Sequence, residues 1–152
     1  MKKLIFLISI VFITLSCEGP EGPQGPPGYG TDWDIIEIPV RQSDWELIGG
    51  KPGDFNTFYR CVINDRRFHQ DIYDIGAIQV FQYQSVDGRE VQTALPFVFH
   101  REQMVDGEYQ NWTETLFYDF RPGVVTLYMY YSDFRTDLSA PPASDFRFVL
   151  QW

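Results

Sequence analysis

Cysteine and histidine are scarce in this chain of 152 residues, which contains two of each. Neither His69 nor His100 has the spacing of a zinc ligand, and no Cys-x-x-Cys or His-x-x-x-His pair is present. The phosphate loop, the dinucleotide fingerprint and the Gly-x-Ser-x-Gly nucleophile motif are also missing from the sequence. We therefore expect no metal, no cofactor and no catalytic activity.

Positive charge is the second shortage, with 12 basic residues against 21 acidic ones. Lys2 and Lys3 lie at the very start, and without them the net charge falls from −9 to −11. Such a surface repels nucleic acid and anionic lipid headgroups, so neither is expected as a partner. Cationic partners, divalent cations and neutral ligands such as glycans stay open.

Apolar runs long enough to cross a bilayer are absent from the sequence. The longest, Leu4 to Leu15, is mostly apolar and follows two lysines, which is typical of a signal peptide. Ser16 and Cys17 come next, and a small residue before cysteine at this point resembles the lipobox of bacterial lipoproteins. The resemblance implies a signal peptide over 1–16 and a lipidated Cys17 as the membrane anchor. The alternative is an ordinary cleaved signal that leaves a free cysteine.

Glycine recurs at every third position just after Cys17, with proline between. A triple helix requires this spacing because only glycine fits at its axis. The run is short, so two interpretations of the stalk at 17–30 stay open: a single-chain polyproline tether of about 40 Å, or a triple-helical stub nucleated by a trimeric domain. The stalk glycines are Gly19, Gly22, Gly25 and Gly28.

A cysteine followed at once by a Gly-Pro-x run and a β-rich domain resembles a group of Bacteroidetes lipoproteins of unknown function. The resemblance implies a lipid-anchored protein of the outer membrane and brings no activity or site residues. Acidic residues just after the cysteine accompany export to the cell surface in that group. Glu18 and Glu21 are present here, but the face of the membrane stays open.

Alternation of apolar and polar residues dominates residues 31–152. The short alternating runs are separated by turn signals, among them Asp87-Gly88, Asp106-Gly107 and Pro122-Gly123. Beyond Cys17 the only cysteine is Cys61, so no internal disulfide is available. The pattern predicts one antiparallel β-sandwich over 31–152, with immunoglobulin-like and jelly-roll topologies both open. The predicted strands lie within 34–40, 56–63, 77–84, 91–99, 113–120, 124–131 and 146–152.

Outward-facing tyrosines are the only candidate binding residues. Tyr128 and Tyr130 alternate with an apolar set that ends at Met129. They can form a cross-strand ladder, an oligomer interface or a platform for a ligand. Cys61 is expected to be a buried small hydrophobe, and His100 a surface residue.

These observations predict a lipid-anchored cell-envelope protein without enzymatic activity. We expect a structural or interaction module, for which a homotrimer formed through the domain and a single chain are both open. The alternative is a surface-exposed module that binds a glycan or a peptide. The membrane, to which a lipidated Cys17 attaches the protein, is the partner that the sequence indicates most directly.

Overall fold

The computed structural model describes residues 30–134, 136 and 140–152, so the predicted signal peptide, Cys17 and the stalk glycines lie outside the described residues. Residues 31–152 form a compact unit by themselves. The regular elements of this unit are β1 (Trp33–Val40), a 3₁₀ turn (Gln42–Asp44), β2 (Glu46–Ile48), β3 (Phe58–Asn64), α1 (Gln70–Ile75), β4 (Ala77–Val86), β5 (Arg89–Ala94), β6 (Phe97–Val105), β7 (Glu108–Arg121), β8 (Val124–Tyr131) and β9 (Ser144–Gln151).

Two antiparallel sheets pack face to face, which confirms the predicted β-sandwich. The four-stranded sheet has the order β1-β9-β4-β5, and the five-stranded sheet has the order β2-β3-β8-β7-β6. The first strand pairs with the last one, β9. In the constant-type immunoglobulin order the first strand pairs with the second, so this topology is not the immunoglobulin one.

The alternation along each strand decides which side chains fill the space between the sheets. On β8, Val125, Leu127 and Met129 are buried, whereas Tyr128 and Tyr130 lie on the outer side. Each large apolar side chain that leaves water contributes about 1.5–3 kcal/mol to folding. The same alternation on β9 buries Phe146, Phe148 and Leu150.

The prediction of one strand over 91–99 is wrong. Pro96 divides the run, and the Leu95–Pro96 peptide bond is cis. Because proline has no N–H for a ladder, the chain leaves the four-stranded sheet after β5 and enters the five-stranded sheet as β6. Both strands are sheet edges, as the proline indicates.

The Asp-Gly pairs form hairpin turns, as expected from their residue types. Asp87 and Gly88 have φ values of 52° and 73°, and β4 and β5 pair on either side of them. Asp106 and Gly107 repeat the arrangement between β6 and β7, with φ values of 52° and 84°. Aspartate and glycine tolerate this left-handed region better than other residues do.

Two elements were missed by the sequence pattern, β2 and α1. The helix α1 has six residues and buries only Ile72, so it carries no apolar stripe to detect. It ends at Gly76, where an added Cβ would collide with the backbone oxygen of Gln151. Among the described residues no helix has the length and apolar character needed to cross a membrane.

The predicted final strand ends one residue early, at Gln151. The backbone of Trp152 is nevertheless paired, since it exchanges two hydrogen bonds of 2.9 and 3.0 Å with Asp32. Its ring is half-buried and lies edge-on to His69, with 4.7 Å between the ring centroids.

Candidate functional site

Four aromatic rings meet on the outer side of the five-stranded sheet, and we call them the aromatic face: Phe58, Phe117, Tyr128 and Tyr130. The strand register brings them together, because Phe117 of β7 lies opposite Tyr128 of β8. Phe58 stacks on Tyr130 with 4.5 Å between centroids and 8° between planes. Phe117 stacks on Tyr128 at 5.0 Å and 17°. The two predicted tyrosines thus share a site with two phenylalanines.

Two side-chain hydrogen bonds lie at the aromatic face or beside it. The Tyr128 hydroxyl donates to Asp119 Oδ2 at 2.8 Å. Burial, together with this bond, raises the pKa of Tyr128 above its usual range. Beside it, Arg60 donates to Glu46 Oε2 at 2.7 Å, so the nearest cation is already paired.

The aromatic face has the geometry of a cross-strand ladder. Stacked rings cover each other's faces, and Tyr130, the most exposed of the four, keeps only 37% of its surface in water. Each stacked pair covers one face of each of its two rings, which reduces the ring area open to a sugar. Val62 and Val98 are exposed on the same outer side of the sheet. This pattern suits contact with another protein surface better than a sugar platform.

A second candidate, which the sequence did not predict, lies between the sheets at the end where β1 finishes. We call it the inter-sheet cleft. Its volume is about 430 Å³, within the range of small-molecule sites. Its apolar walls include Trp45, Phe97, Leu116, Met129, Pro141 and Phe146.

Amide side chains supply one polar wall of the cleft. Gln84 donates through Nε2 to Gln82 Oε1 at 2.9 Å, and Gln82 donates to Ser144 Oγ at 3.1 Å. Ser144 in turn donates to the backbone oxygen of Tyr83 at 3.3 Å. The donors therefore run in one direction, from Gln84 toward the backbone.

An arginine and a glutamate form the other polar wall. Arg101 Nε lies 3.1 Å from Glu114 Oε2, and its guanidinium carbon sits 4.9 Å above the centre of the Phe99 ring. Trp112 donates to the second oxygen of Glu114 at 3.1 Å. The charge of the exposed Arg101 is therefore paired with Glu114, while its terminal N–H groups make no bond to the described residues.

The inter-sheet cleft did leave a signal in the sequence. Gln82 and Gln84 continue the buried face of Ile78 and Val80 along β4, and Arg101 continues that of Phe97 and Phe99 along β6. Polar residues in phase with a buried face mark a place where an interior is not purely apolar. The alternation alone does not show that β4 and β6 line the same cleft, because this depends on how the strands pair in the fold.

The remaining predicted residues lie apart from both sites. Cys61 is 3% exposed, and burial raises the pKa of its thiol to about 11, which leaves it protonated and unreactive at neutral pH. His100 is exposed, and its Nδ1 lies 3.2 Å from Thr113 Oγ1. Within the described part of the chain, no three His, Cys, Asp or Glu side chains converge as a metal site would require.

Comparison with known proteins gave no relative of this chain: no protein-family model, curated protein or solved structure matches it. The two sites are therefore interpreted from their own geometry.

Proposed function

We propose that this protein is a non-catalytic structural module of the bacterial cell envelope, anchored in the outer membrane through lipidated Cys17 and assembled as a homotrimer. The observation that supports it best is the aromatic face. The outer side of an antiparallel sheet is normally polar, whereas here four aromatic rings share it with the exposed Val62 and Val98.

A second copy of the chain is the partner that fits this face. A triple helix of the Gly-Pro-x triplets needs three chains in register, and domain contacts would supply the local concentration that three triplets lack. Repulsion between acidic copies opposes assembly, so contact is favoured where charge is already paired. The Arg60–Glu46 pair beside the aromatic face meets that condition.

Substitution at the centre of the face tests the assembly. In residues 18–152, Tyr130→Glu should convert a trimer into a monomer, measured by sedimentation velocity. Tyr73→Glu is the matched control, because Tyr73 is 53% exposed on α1, outside the face. Dissociation by both variants, or by neither, would contradict a contact through the aromatic face.

The anchor is tested separately in cells. Metabolic labelling with an alkynyl palmitate should mark the full chain and not Cys17→Ser, and the unlabelled variant should leave the outer-membrane fraction. Labelling that survives Cys17→Ser would place the acyl chain elsewhere.

A second candidate function is a surface-exposed module that binds a glycan or a peptide. The inter-sheet cleft supports it, because it combines apolar walls with unused hydrogen-bonding groups in about 430 Å³. This function does not depend on trimer formation.

A further inference from the structure

The fold does not require polar side chains at the inward-facing positions of the inter-sheet cleft. Along β4, Ile78 and Val80 are buried in the core, and Gln82 and Gln84 continue the same face as half-buried amides. A half-buried amide loses hydrogen bonds to water and must replace them with other hydrogen bonds. Leucine would pack there at no such cost. Two amides in these positions point to a hydrogen-bonded ligand.

Half of the Gln84 amide has no hydrogen-bond partner among the residues that the structure describes. Its Nε2 donates to Gln82 Oε1, the Nε2 of Gln82 donates to Ser144 Oγ, and Ser144 donates to the backbone oxygen of Tyr83. The Oε1 acceptor of Gln84 and its second N–H make no bond to any described residue. One side chain thus offers the cleft both an acceptor and a donor.

The opposite wall offers donors without net charge. Arg101 uses Nε on Glu114, and its terminal nitrogens make no bond to the described residues. Each oxygen of Glu114 accepts one hydrogen bond, Oε2 from Arg101 and Oε1 from Trp112. A cationic ligand therefore meets a carboxylate whose charge Arg101 already balances, and an anionic ligand meets an acidic protein whose arginine is already paired.

The ligand that fits is neutral, has apolar faces and carries hydroxyl groups at both ends. A sugar ring has this character, since its C–H faces pack on aromatic and proline walls while its hydroxyls both donate and accept. A peptide bound to a sandwich uses an unpaired sheet edge. The edge strand β6 contributes the side chains of Phe97, Phe99 and Arg101 to the cleft, so a ligand there meets side chains and not a backbone ladder.

We propose that the inter-sheet cleft binds a neutral mono- or disaccharide unit, held between the Gln84 amide and the Arg101 guanidinium. The proposal rests on the second candidate function and is independent of the trimer. The cleft lies at the Val40 end of β1, about 23 Å along the strand from Trp33, which is near the start of the domain. A glycan would therefore be bound at the end of the domain remote from its point of attachment.

Nuclear magnetic resonance on residues 18–152 tests this directly, because Trp45 lines the cleft and its indole N–H gives one resolvable signal. The probes are glucose, galactose, mannose, N-acetylglucosamine and their common disaccharides, each titrated to 20 mM. At least one should shift the Trp45 signal, which is assigned with Trp45→Phe. Gln84→Leu should weaken that sugar at least tenfold.

Gln79→Leu is the matched control, since Gln79 lies on the outer face of the same strand. It should leave sugar affinity unchanged, and circular dichroism should show both variants folded. A shift that survives Gln84→Leu undiminished would overturn the proposal, as would a titration in which no sugar moves Trp45. Acetylated Pro-Phe and Pro-Trp amides distinguish a failure of the saccharide proposal from a failure of the binding-module function. If only these peptides shift Trp45, the binding module stands and the saccharide assignment fails; if nothing does, both fail.

Discussion

The aromatic face and the inter-sheet cleft are made from consecutive residues of the same strands. On β7, Leu116 lines the cleft and Phe117 joins the face; on β8, Met129 and Tyr130 do the same. The groups of the aromatic face have their partners within the sheet, since the rings stack on each other and the Tyr128 hydroxyl donates a hydrogen bond to Asp119. In the cleft, part of the Gln84 amide and of the Arg101 guanidinium makes no bond to the residues that the structure describes. The first arrangement suits a protein contact, and the second suits a small polar ligand.

Deleting a ring from the cleft floor should cost more stability than deleting one from the face. Phe146 is 1% exposed and packs in the core, so Phe146→Ala should lower the free energy of unfolding by roughly 3–5 kcal/mol. Phe58→Ala, on the half-exposed face, should cost less than half as much. Urea denaturation measures both, and an equal loss would show that the face is as deeply built into the core as the cleft floor.

The loss of folding stability at alkaline pH should show whether water reaches the core at a position away from the cleft. The thiol of Cys61 does not line the cleft, and its pKa is raised from 9.0 to about 11 by burial. The unfolded state loses this proton first, so stability falls as pH rises from about 9 to 11. The share due to Cys61 is roughly 2 kcal/mol at about pH 10.5.

Cys61→Ala is the control for that share, and its unfolding free energy should fall less steeply over the same pH range. Tyr131, whose pKa burial raises to about 12, adds a loss of the same sign in both proteins. Identical pH profiles for the two proteins would mean that water reaches the thiol.

The stacked rings should contribute measurably to the sheet. Phe117 contacts both Tyr128 and Tyr130, so Phe117→Ala should destabilise the domain by about 1–2 kcal/mol. Val98→Ala, at an exposed position of the same outer side, should change the free energy of unfolding by at most about 0.5 kcal/mol. Thermal unfolding of both variants checks the difference, and equal effects would remove the case for a ladder.

The smallest expected effect on stability belongs to the cleft amides. Gln84→Leu removes one hydrogen bond but also a half-buried polar group, so the free energy of unfolding should change by less than about 1 kcal/mol. A loss of several kcal/mol would show that the amide is structural and would weaken its assignment to a ligand.

The sequence predicted the sandwich and its hairpins because alternation and Asp-Gly turns are local signals. It could not predict that 91–99 is divided between two sheets, since the alternation continues across Pro96 and only the pairing of β5 and β6 reveals the change. The helix α1 was missed because a single buried Ile72 makes no period.

The candidate sites were predicted in part. Alternation placed Tyr128 and Tyr130 outside, but their partners Phe58 and Phe117 come from other strands, and the pairing of those strands is a property of the fold. Gln84 and Arg101 are 17 positions apart in sequence and face each other only because β4 and β6 belong to opposite sheets.

The central claim is that the domain assembles copies of this chain, and its mass in solution tests this most directly. Light scattering on a sizing column should be run on residues 18–152 and on residues 31–152, which form a compact unit. We expect a trimer for both, with the domain driving assembly and the Gly-Pro-x run following it. Monomers at every concentration would contradict the account and leave the stalk as a single-chain tether.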